Sequence, residues 1–185
     1  QPRIIAKVRK PSHGVSQELL VFAPLDAPVK ISLLRLRNRT PRKRRFSITN
    51  YNELVLGVAR QSSAPYIITE IDQAASTIFA KNPFNNEFAN RVAFVATSEA
   101  VASATCDRKE FLGRNSSVET PAALKRLTLA GRDGAGLDPC AALQVLVDLA
   151  PHEAREVIFL IGEVESKEAA QSVVDTYRQS GSVNA

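Results

Sequence analysis

The sequence predicts a mostly all-β fold, an antiparallel β-sandwich followed by one C-terminal helix. Short apolar runs in which every second residue is hydrophobic recur along most of the chain, and turn-forming residues separate them. Helical patterns do not alternate with these runs, as they would in a parallel α/β sheet. Residues 1–164 are therefore predicted to form one β-sandwich domain, and residues 165–185 a helix that follows it.

The composition agrees with a single globular domain. The chain has 185 residues, of which 44% are hydrophobic and 23% charged, enough to bury a core and unlike a disordered protein. The longest apolar run, Val157–Ile161, is far shorter than the roughly 20 residues that span a bilayer. Gln1–Lys10 carries no signal peptide. Because the chain has no Met and a strand is already predicted at residues 3–8, we expect a fragment of a longer protein.

Nine strands are predicted. The central one begins at Val29, where apolar residues alternate up to Leu33 and then take the other phase at Leu34 and Leu36, which indicates burial on both faces or a bulge. The last two strands are expected to form a hairpin around residues 151–153. The remaining strands are predicted at residues 3–8, 46–49, 54–58, 66–71, 77–80 and 91–97.

The C-terminal helix has a clear start signal. Ser166 is suited to be its N-cap, Glu168 lies in its first turn, and Gly181 is expected to end it. Apolar residues recur at helical spacing between these two ends. A short helical turn is predicted at residues 120–125, and the rest of residues 112–139 is expected to be loop.

A cluster of seven cations lies between Arg35 and Arg45. Such a cluster favours a polyanion or nucleic acid ligand, because bound phosphates release their counterions. The alternative is a solvated hairpin with residues 38–41 as its turn. This alternative is favoured, because no aromatic residues for base stacking are interleaved with the cations and the net charge is only +5.

Three other patterns are weak as functional sites. Glu70 and Asp72 share one face of a predicted strand, whereas the carboxyl groups of a glycosidase flank the scissile bond, so they are expected to be surface acids. The stretch Gly131–Gly136 lacks a complete phosphate-binding motif and predicts a loop with positive φ angles. With no Trp and three Tyr, the chain offers few aromatic platforms for an autonomous sugar-binding module.

Cysteine and histidine usage predicts no metal, no cofactor and no catalytic residue. Cys106 and Cys140 have no CxxC spacing and are expected to be free thiols, with a disulfide as the alternative. His13 and His152 lie in predicted turns, without a zinc-binding or nucleophile motif beside them.

The segment Asp107–Asn115 is the candidate ligand-facing loop, with Asp107, Arg108, Arg114 and Asn115 as its site residues. Arginine presents a planar fork of donors suited to phosphate or sugar hydroxyls, and asparagine offers both donor and acceptor. Phe111 and Leu112 are expected to anchor the base of the loop in the core. The alternative, which is favoured, is that Arg114 pairs with Asp107 within the loop and merely shapes it.

Six stretches in order resemble one family, and the resemblance as a whole extends over residues 4–177. The sequence resembles the β-sandwich domain, of supersandwich type, of the cellobiose/chitobiose phosphorylase family, and is most similar to the phosphorylase-like C-terminal region of cyclic β-1,2-glucan synthases. The stretches that carry the resemblance are residues 22–31, 44–51, 69–72, 82–88, 107–115 and 134–144.

The resemblance implies a role within a larger bacterial enzyme. Family members join this sandwich through a helical linker to an (α/α)6 barrel, which holds the general acid and cleaves a β-glucosidic bond with phosphate. It implies that this chain is non-catalytic, without cofactor or nucleic acid, and supports the barrel and a homodimer. β-Glucan oligosaccharide and phosphate would bind at the parent's active site. The implied location is cytoplasmic, with the parent anchored in the inner membrane.

Overall fold

The computed structural model describes residues 3–12, 14–114 and 117–178. Within residues 3–12, it describes the side chains of Ala6 and Val8 alone. The elements are β1 (Arg3–Ser12), β2 (Val15–Ala23), β3 (Val29–Asn38), β4 (Arg44–Glu53), α1 (Arg60–Ser63), β5 (Ile68–Asp72), β6 (Thr77–Lys81), β7 (Val92–Thr97), β8 (Val101–Asp107), α2 (Arg108–Leu112), β9 (Pro139–Leu149), β10 (Ala154–Val164) and α3 (Lys167–Tyr177).

The strands form two antiparallel sheets. A seven-stranded sheet has the order β1-β2-β3-β10-β7-β6-β5, and a three-stranded sheet has the order β4-β9-β8. The strand pairs within both sheets are antiparallel. The predicted fold class, an antiparallel sandwich with a C-terminal helix, is confirmed.

Both predicted hairpins are wrong, because their strands belong to different sheets. β3 lies in the large sheet and β4 in the small one, so residues 39–43 cross between the sheets. Residues 150–153 cross back from β9 to β10. Apolar alternation shows which side chains are buried, but it does not show which strand is the hydrogen-bonding neighbour.

Asn38 fixes these two crossovers to each other. Its buried side-chain amide donates to the backbone carbonyls of Arg42 at 2.7 Å and Ala150 at 2.9 Å. Its side-chain oxygen accepts from the backbone N–H and the hydroxyl of Thr40 at 3.0 and 2.7 Å. One side chain therefore satisfies the backbone of both connections where they leave the sheets.

The predicted strand at residues 54–58 is also wrong. β4 ends at Glu53, and Leu56 has a φ of 38°, which takes the backbone out of the extended conformation. Leu54 is buried while Val58 is fully exposed, so the apolar alternation continues into a segment that is not in a sheet. The strands β2 and β8 were not predicted.

The large sheet is buried on both faces, and this resolves the phase change in β3. Ile31 and Leu33 pack with Val174 of α3, whereas Leu34 and Leu36 pack with strand β9 of the small sheet. The pairing of β3 with β10 runs without a register shift, so burial on both faces is confirmed and a bulge is not.

The C-terminal helix begins as predicted. Ser166 is the N-cap, and its hydroxyl accepts from the N–H of Ala169 at 3.1 Å. The predicted stop at Gly181 lies outside the described residues. The helical turn predicted at residues 120–125 is a 3-10 turn, Ala122–Lys125. Among the described residues, we find no helix long and apolar enough to cross a membrane.

Candidate functional site

One end of the sandwich, here called the α2 end, carries α2 together with residues 54–67 and 82–91. These segments meet because β4, β6, β8 and β10 end there while β7 and β9 begin there. The opposite end, here called the crossover end, carries residues 39–43 and 150–153. The candidate ligand-facing loop and the basic cluster therefore lie at opposite ends of the domain.

Asp107 is the structural start of α2. It is buried, and its carboxylate accepts from the N–H groups of Lys109 at 3.1 Å and Glu110 at 3.4 Å, as an N-cap does. Its ion-pair partner is Arg132, at 3.0 Å. The expected pair between Asp107 and Arg114 is wrong, because Arg132 from the glycine-rich loop occupies that place.

Among the candidate site residues that the structure describes, Arg114 has a side chain that could contact a ligand or another domain. It is exposed, and within the described part of the chain its guanidinium makes no hydrogen bond or ion pair. Phe111 and Leu112 are buried, so the predicted anchoring of the loop base is confirmed. Asn115 lies outside the described residues. Contact of this loop with a ligand stays a prediction.

Arg108 belongs to a ring of four alternating charges, here called the charge ring, made of Glu53, Arg60, Asp138 and Arg108. Glu53 accepts from Arg60 Nη1 at 2.7 Å and from Arg108 Nε at 2.9 Å. Asp138 accepts from Arg108 Nη1 at 3.4 Å and also from Arg60. The ring ties the end of β4, α1, α2 and the turn before β9 to one another.

The arginines and carboxylates of the charge ring favour each other's charged forms. A hydrogen bond from Arg108 holds the pKa of Glu53 below its ordinary value. Burial opposes ionisation of Asp138, but the hydrogen bonds and charges of Arg60 and Arg108 outweigh it, and the pKa of Asp138 is lowered. The same contact with Glu53 raises the pKa of Arg108. Arg108 is thus a fixed and neutralised cation.

A cavity of two joined lobes opens beside the charge ring, and it is here called the α2-end cavity. Its outer lobe has a volume of about 320 Å³ and its inner lobe about 190 Å³. Leu56, Ala93 and Glu163 line both lobes. The inner lobe reaches between the two sheets, where its walls are mainly apolar side chains of β6, β7, β9 and β10.

Exposed apolar side chains lie at the mouth of this cavity and on the segments beside it, and they are here called the apolar rim: Val58, Tyr66, Phe84 and Phe88. Val58 and Phe88 line the outer lobe, and the rings of Tyr66 and Phe84 contact each other with centroids 4.8 Å apart. Phe84 is 72% exposed. Large exposed apolar groups that lie together indicate an interaction surface.

Sequence reasoning missed the apolar rim, although a signal was present. The absence of Trp argued against aromatic platforms, and Phe84 and Phe88 were noted only as part of a family-like stretch. Asn82, Pro83 and Asn85 beside them predict turns, because asparagine side chains accept from N–H groups two or three residues on. Asn85 does so here, at 3.0 Å. Phenylalanines in such a turn are exposed.

The other candidate residues have structural roles. Glu70 pairs with Lys167 at 2.6 Å, and Asp72 accepts from the N–H of Ala75 at 2.8 Å in a turn, so these two are surface acids as predicted. In the basic cluster, Arg35 pairs with Glu156 at 2.5 Å and Arg45 with Asp148 at 2.8 Å. These acidic partners reduce the charge that the cluster offers to a polyanion.

The glycine-rich stretch forms the predicted loop. Gly131, Gly134 and Gly136 have φ angles of 69°, 109° and 76°, which confirms the expected positive values. Both cysteines are buried free thiols, and burial raises the pKa of Cys106 to about 12. His152 lies in a turn, and His13 lies outside the described residues. Within the described ranges, no three His, Cys, Asp or Glu side chains group as metal ligands would.

Comparison with known proteins identifies the family. The model of the family described as "Glycosyl hydrolase 94, supersandwich domain" matches residues 5–180. The chain belongs to this family. The supersandwich domain is also 32% identical over 152 residues to the cyclic beta-(1,2)-glucan synthase NdvB of Rhizobium meliloti (strain 1021). That match covers 82% of this chain but 5% of the relative, so the supersandwich domain spans a small part of the protein it resembles.

A solved structure shares the fold of the supersandwich domain. A polysaccharide lyase, BACCELL_00875, matches 88% of this chain and 22% of its own with a TM-score of 0.54 and 10% identity. A putative kojibiose phosphorylase from human microbiome matches 91% of this chain and 19% of its own, with a TM-score of 0.43 and 9% identity. At these identities the lyase shows a common fold alone.

Proposed function

We propose that this supersandwich domain is a non-catalytic part of a larger enzyme, either a cyclic β-1,2-glucan synthase or a β-glucan phosphorylase. In that enzyme it docks through its α2 end against the catalytic (α/α)6 barrel. The apolar rim carries the proposal, because it lies at the surface of a domain whose curated relative is a far longer polypeptide. The helix α3 would then lead into the linker to the barrel.

The energetics of the apolar rim support docking. Burying a large apolar side chain that was exposed gains roughly 1.5–3 kcal/mol, so four such side chains contribute a substantial part of an interface. The polar groups beside the rim are mostly held by neighbours within the chain, which limits the desolvation penalty. A partner surface would therefore gain the most free energy of binding from contact with the apolar rim.

Arg114 supports the same orientation. Its exposed guanidinium lies near the α2 end and lacks a partner among the described residues. In the docked enzyme it would offer donors to phosphate or to the hydroxyls of a β-glucan oligosaccharide bound to the barrel. A homodimer in which the α2 end borders the partner's active site is a second arrangement of the same contact.

The experiment is reconstitution from two polypeptides of one longer protein. The supersandwich domain and the catalytic region are produced separately, and association is measured by calorimetry while glucose 1-phosphate release from sophoro-oligosaccharides is assayed. We expect a complex, and no activity from the domain by itself. Replacing both Phe84 and Phe88 by Ser should weaken association at least tenfold, because apolar burial is lost.

Leu146 provides the matched control. It is an exposed apolar residue on the outer face of the small sheet, toward the crossover end. Leu146→Ser should leave association unchanged. Equal affinity of the double rim variant and the control would refute docking through the α2 end. Phosphorolysis by the isolated domain would refute its non-catalytic role.

A further inference from the structure

The inner lobe of the α2-end cavity is a half-open, mainly apolar space between the two sheets, and Glu53 and Glu163 lie at its edge. Its volume of about 190 Å³ has room for one benzene ring, since a cavity of roughly 150 Å³ holds such a ring. The small side chain of Ala93 lies where the two lobes join. The apolar residues of its walls include Leu54, Ile78, Ala80, Val95, Ala141 and Ile161.

The polar groups at the mouth of the cavity are largely used within the chain. Asn82 donates to the carbonyl of Leu56 at 2.9 Å and accepts from the N–H of Phe84 at 3.1 Å. Arg91 donates to the carboxylate of Glu163 at 2.5 Å and to its backbone carbonyl at 3.2 Å. A hydroxylated ligand in the mainly apolar inner lobe would find few unpaired groups to replace its hydrogen bonds to water, so an apolar occupant is favoured.

The backbone at the mouth is held in a conformation that costs free energy. Leu56 has a positive φ of 38°, which a leucine rarely adopts, and Asn82 fixes its carbonyl. This conformation keeps Leu56 on the cavity wall while Val58 points outward, fully exposed. The mouth is therefore preformed, which reduces the cost of ordering it upon binding.

We infer that the α2-end cavity is a socket for one apolar side chain, aromatic or branched aliphatic, carried by the catalytic region of the same polypeptide. The inference rests on the proposed function and specifies how the docking contact is made. A side chain tethered in the same polypeptide is present at an effective concentration in the millimolar range, so a single inserted group is enough to hold the domains in register. The apolar rim then packs around the inserted group.

The first test uses the isolated chain with benzene as the probe. Methyl resonances of Ile78, Val95 and Ile161 should shift as benzene is added, while methyl groups at the crossover end remain unchanged. Ala93→Phe should fill the space and abolish the shifts, with Ala93→Leu as a smaller filling variant. Ala100→Phe, at an exposed position toward the crossover end, is the control. Absence of wild-type shifts at millimolar benzene would overturn the socket.

The second test uses the reconstituted complex. Ala93→Phe should weaken association with the catalytic region at least tenfold without lowering the melting temperature of the domain, because the socket is already filled. Unchanged affinity would overturn the socket and leave the proposed function standing. If the wild-type domain failed to associate at all, the proposed function and this occupant would both be overturned, and the benzene titration would still report on the cavity.

Discussion

Asn38 shows how a single buried polar side chain organises this domain. It is fully buried, and it serves backbone groups in both connections that cross between the sheets at the crossover end. A buried carbonyl that loses its donor keeps the whole cost of leaving water. The carbonyls of Arg42 and Ala150 are partly buried at these contacts, so each bears part of that cost when Asn38 is removed.

Replacement of Asn38 by Ala should therefore lower the free energy of unfolding by about 2–4 kcal/mol. Urea denaturation measures this, and the m-value should stay the same if the native sheets remain intact. Asn90→Ala, at an exposed loop position, is the matched control and should change stability by less than about 0.5 kcal/mol. Equal effects of the two substitutions would contradict the role of Asn38.

A second prediction for a single residue concerns Arg114. In Arg114→Ala the isolated domain should melt as the wild type does, because the side chain is exposed and has no partner among the described residues. The enzyme that contains the domain should lose activity at least tenfold, if Arg114 contacts phosphate or sugar. Arg132→Ala is the contrasting variant, since it removes the partner of Asp107 and should lower domain stability. If Arg114→Ala left the kinetics of the enzyme intact but made the domain less stable, Arg114 would have a structural role and not a ligand-binding one.

At the scale of elements, the charge ring joins four segments that are distant in sequence. Because the folded pKa values of Glu53 and Asp138 are lowered, their contribution to stability is complete above the unfolded pKa of about 4. It is lost as pH falls through the folded values. Asp138 contributes more than Glu53, whose side chain is 38% exposed against 14% for Asp138 and is therefore better screened.

Asp138→Asn should lower the free energy of unfolding at pH 7 by about 1–3 kcal/mol, because two arginines lose a charged partner. The difference between variant and wild type should shrink as pH is lowered below about 4. Chemical denaturation at a series of pH values measures both effects. Asp175→Asn, at an exposed position on α3, should change neither the stability nor its pH dependence. A difference that stays constant with pH would rule out the charge ring as its source.

The basic cluster should tolerate the loss of the three cations that lie at and beside the crossover between β3 and β4. Asn38 bonds the backbone carbonyl of Arg42, which serine retains, and the pair of Lys43 with Asp148 is exposed at 3.8 Å. Replacing Arg42, Lys43 and Arg44 together by Ser should shift the melting temperature by no more than a few degrees. Calorimetry measures this shift. A fall of many degrees would mean that these cations, including Arg44 over the ring of Phe46, stabilise the fold.

Elements were more predictable than their connections. The period of two located most strands, and the cap at Ser166 located α3, because these signals are local. The pairing of β3 with β10 depends on contacts between residues more than 100 positions apart, and no local pattern encodes it. The same holds for the site: the sequence indicated the α2 loop, but Arg132 and Asp138, which hold it, come from another segment.

At the scale of the whole molecule, the domain has a complete core of its own and still leaves apolar side chains exposed. The chain is a supersandwich domain, and its relative in Rhizobium meliloti is a cyclic glucan synthase of which it matches 5%. A domain of this size stabilises itself by its own core on both faces of the large sheet. Its exposed apolar groups are therefore available for contact with a neighbouring domain.

The two ends of the sandwich differ in how the sheets are joined. At the crossover end, residues 39–43, 98–100 and 150–153 link the sheets by short connections, whereas at the α2 end only the longer segment 54–67 does so within the described ranges. The short connections that hold the two sheets together thus lie far from the α2-end cavity. Substitutions in the apolar rim, the cavity and the α2 loop can therefore accumulate without disturbing strand pairing, so the surface that we propose for docking can diverge while the fold is inherited unchanged.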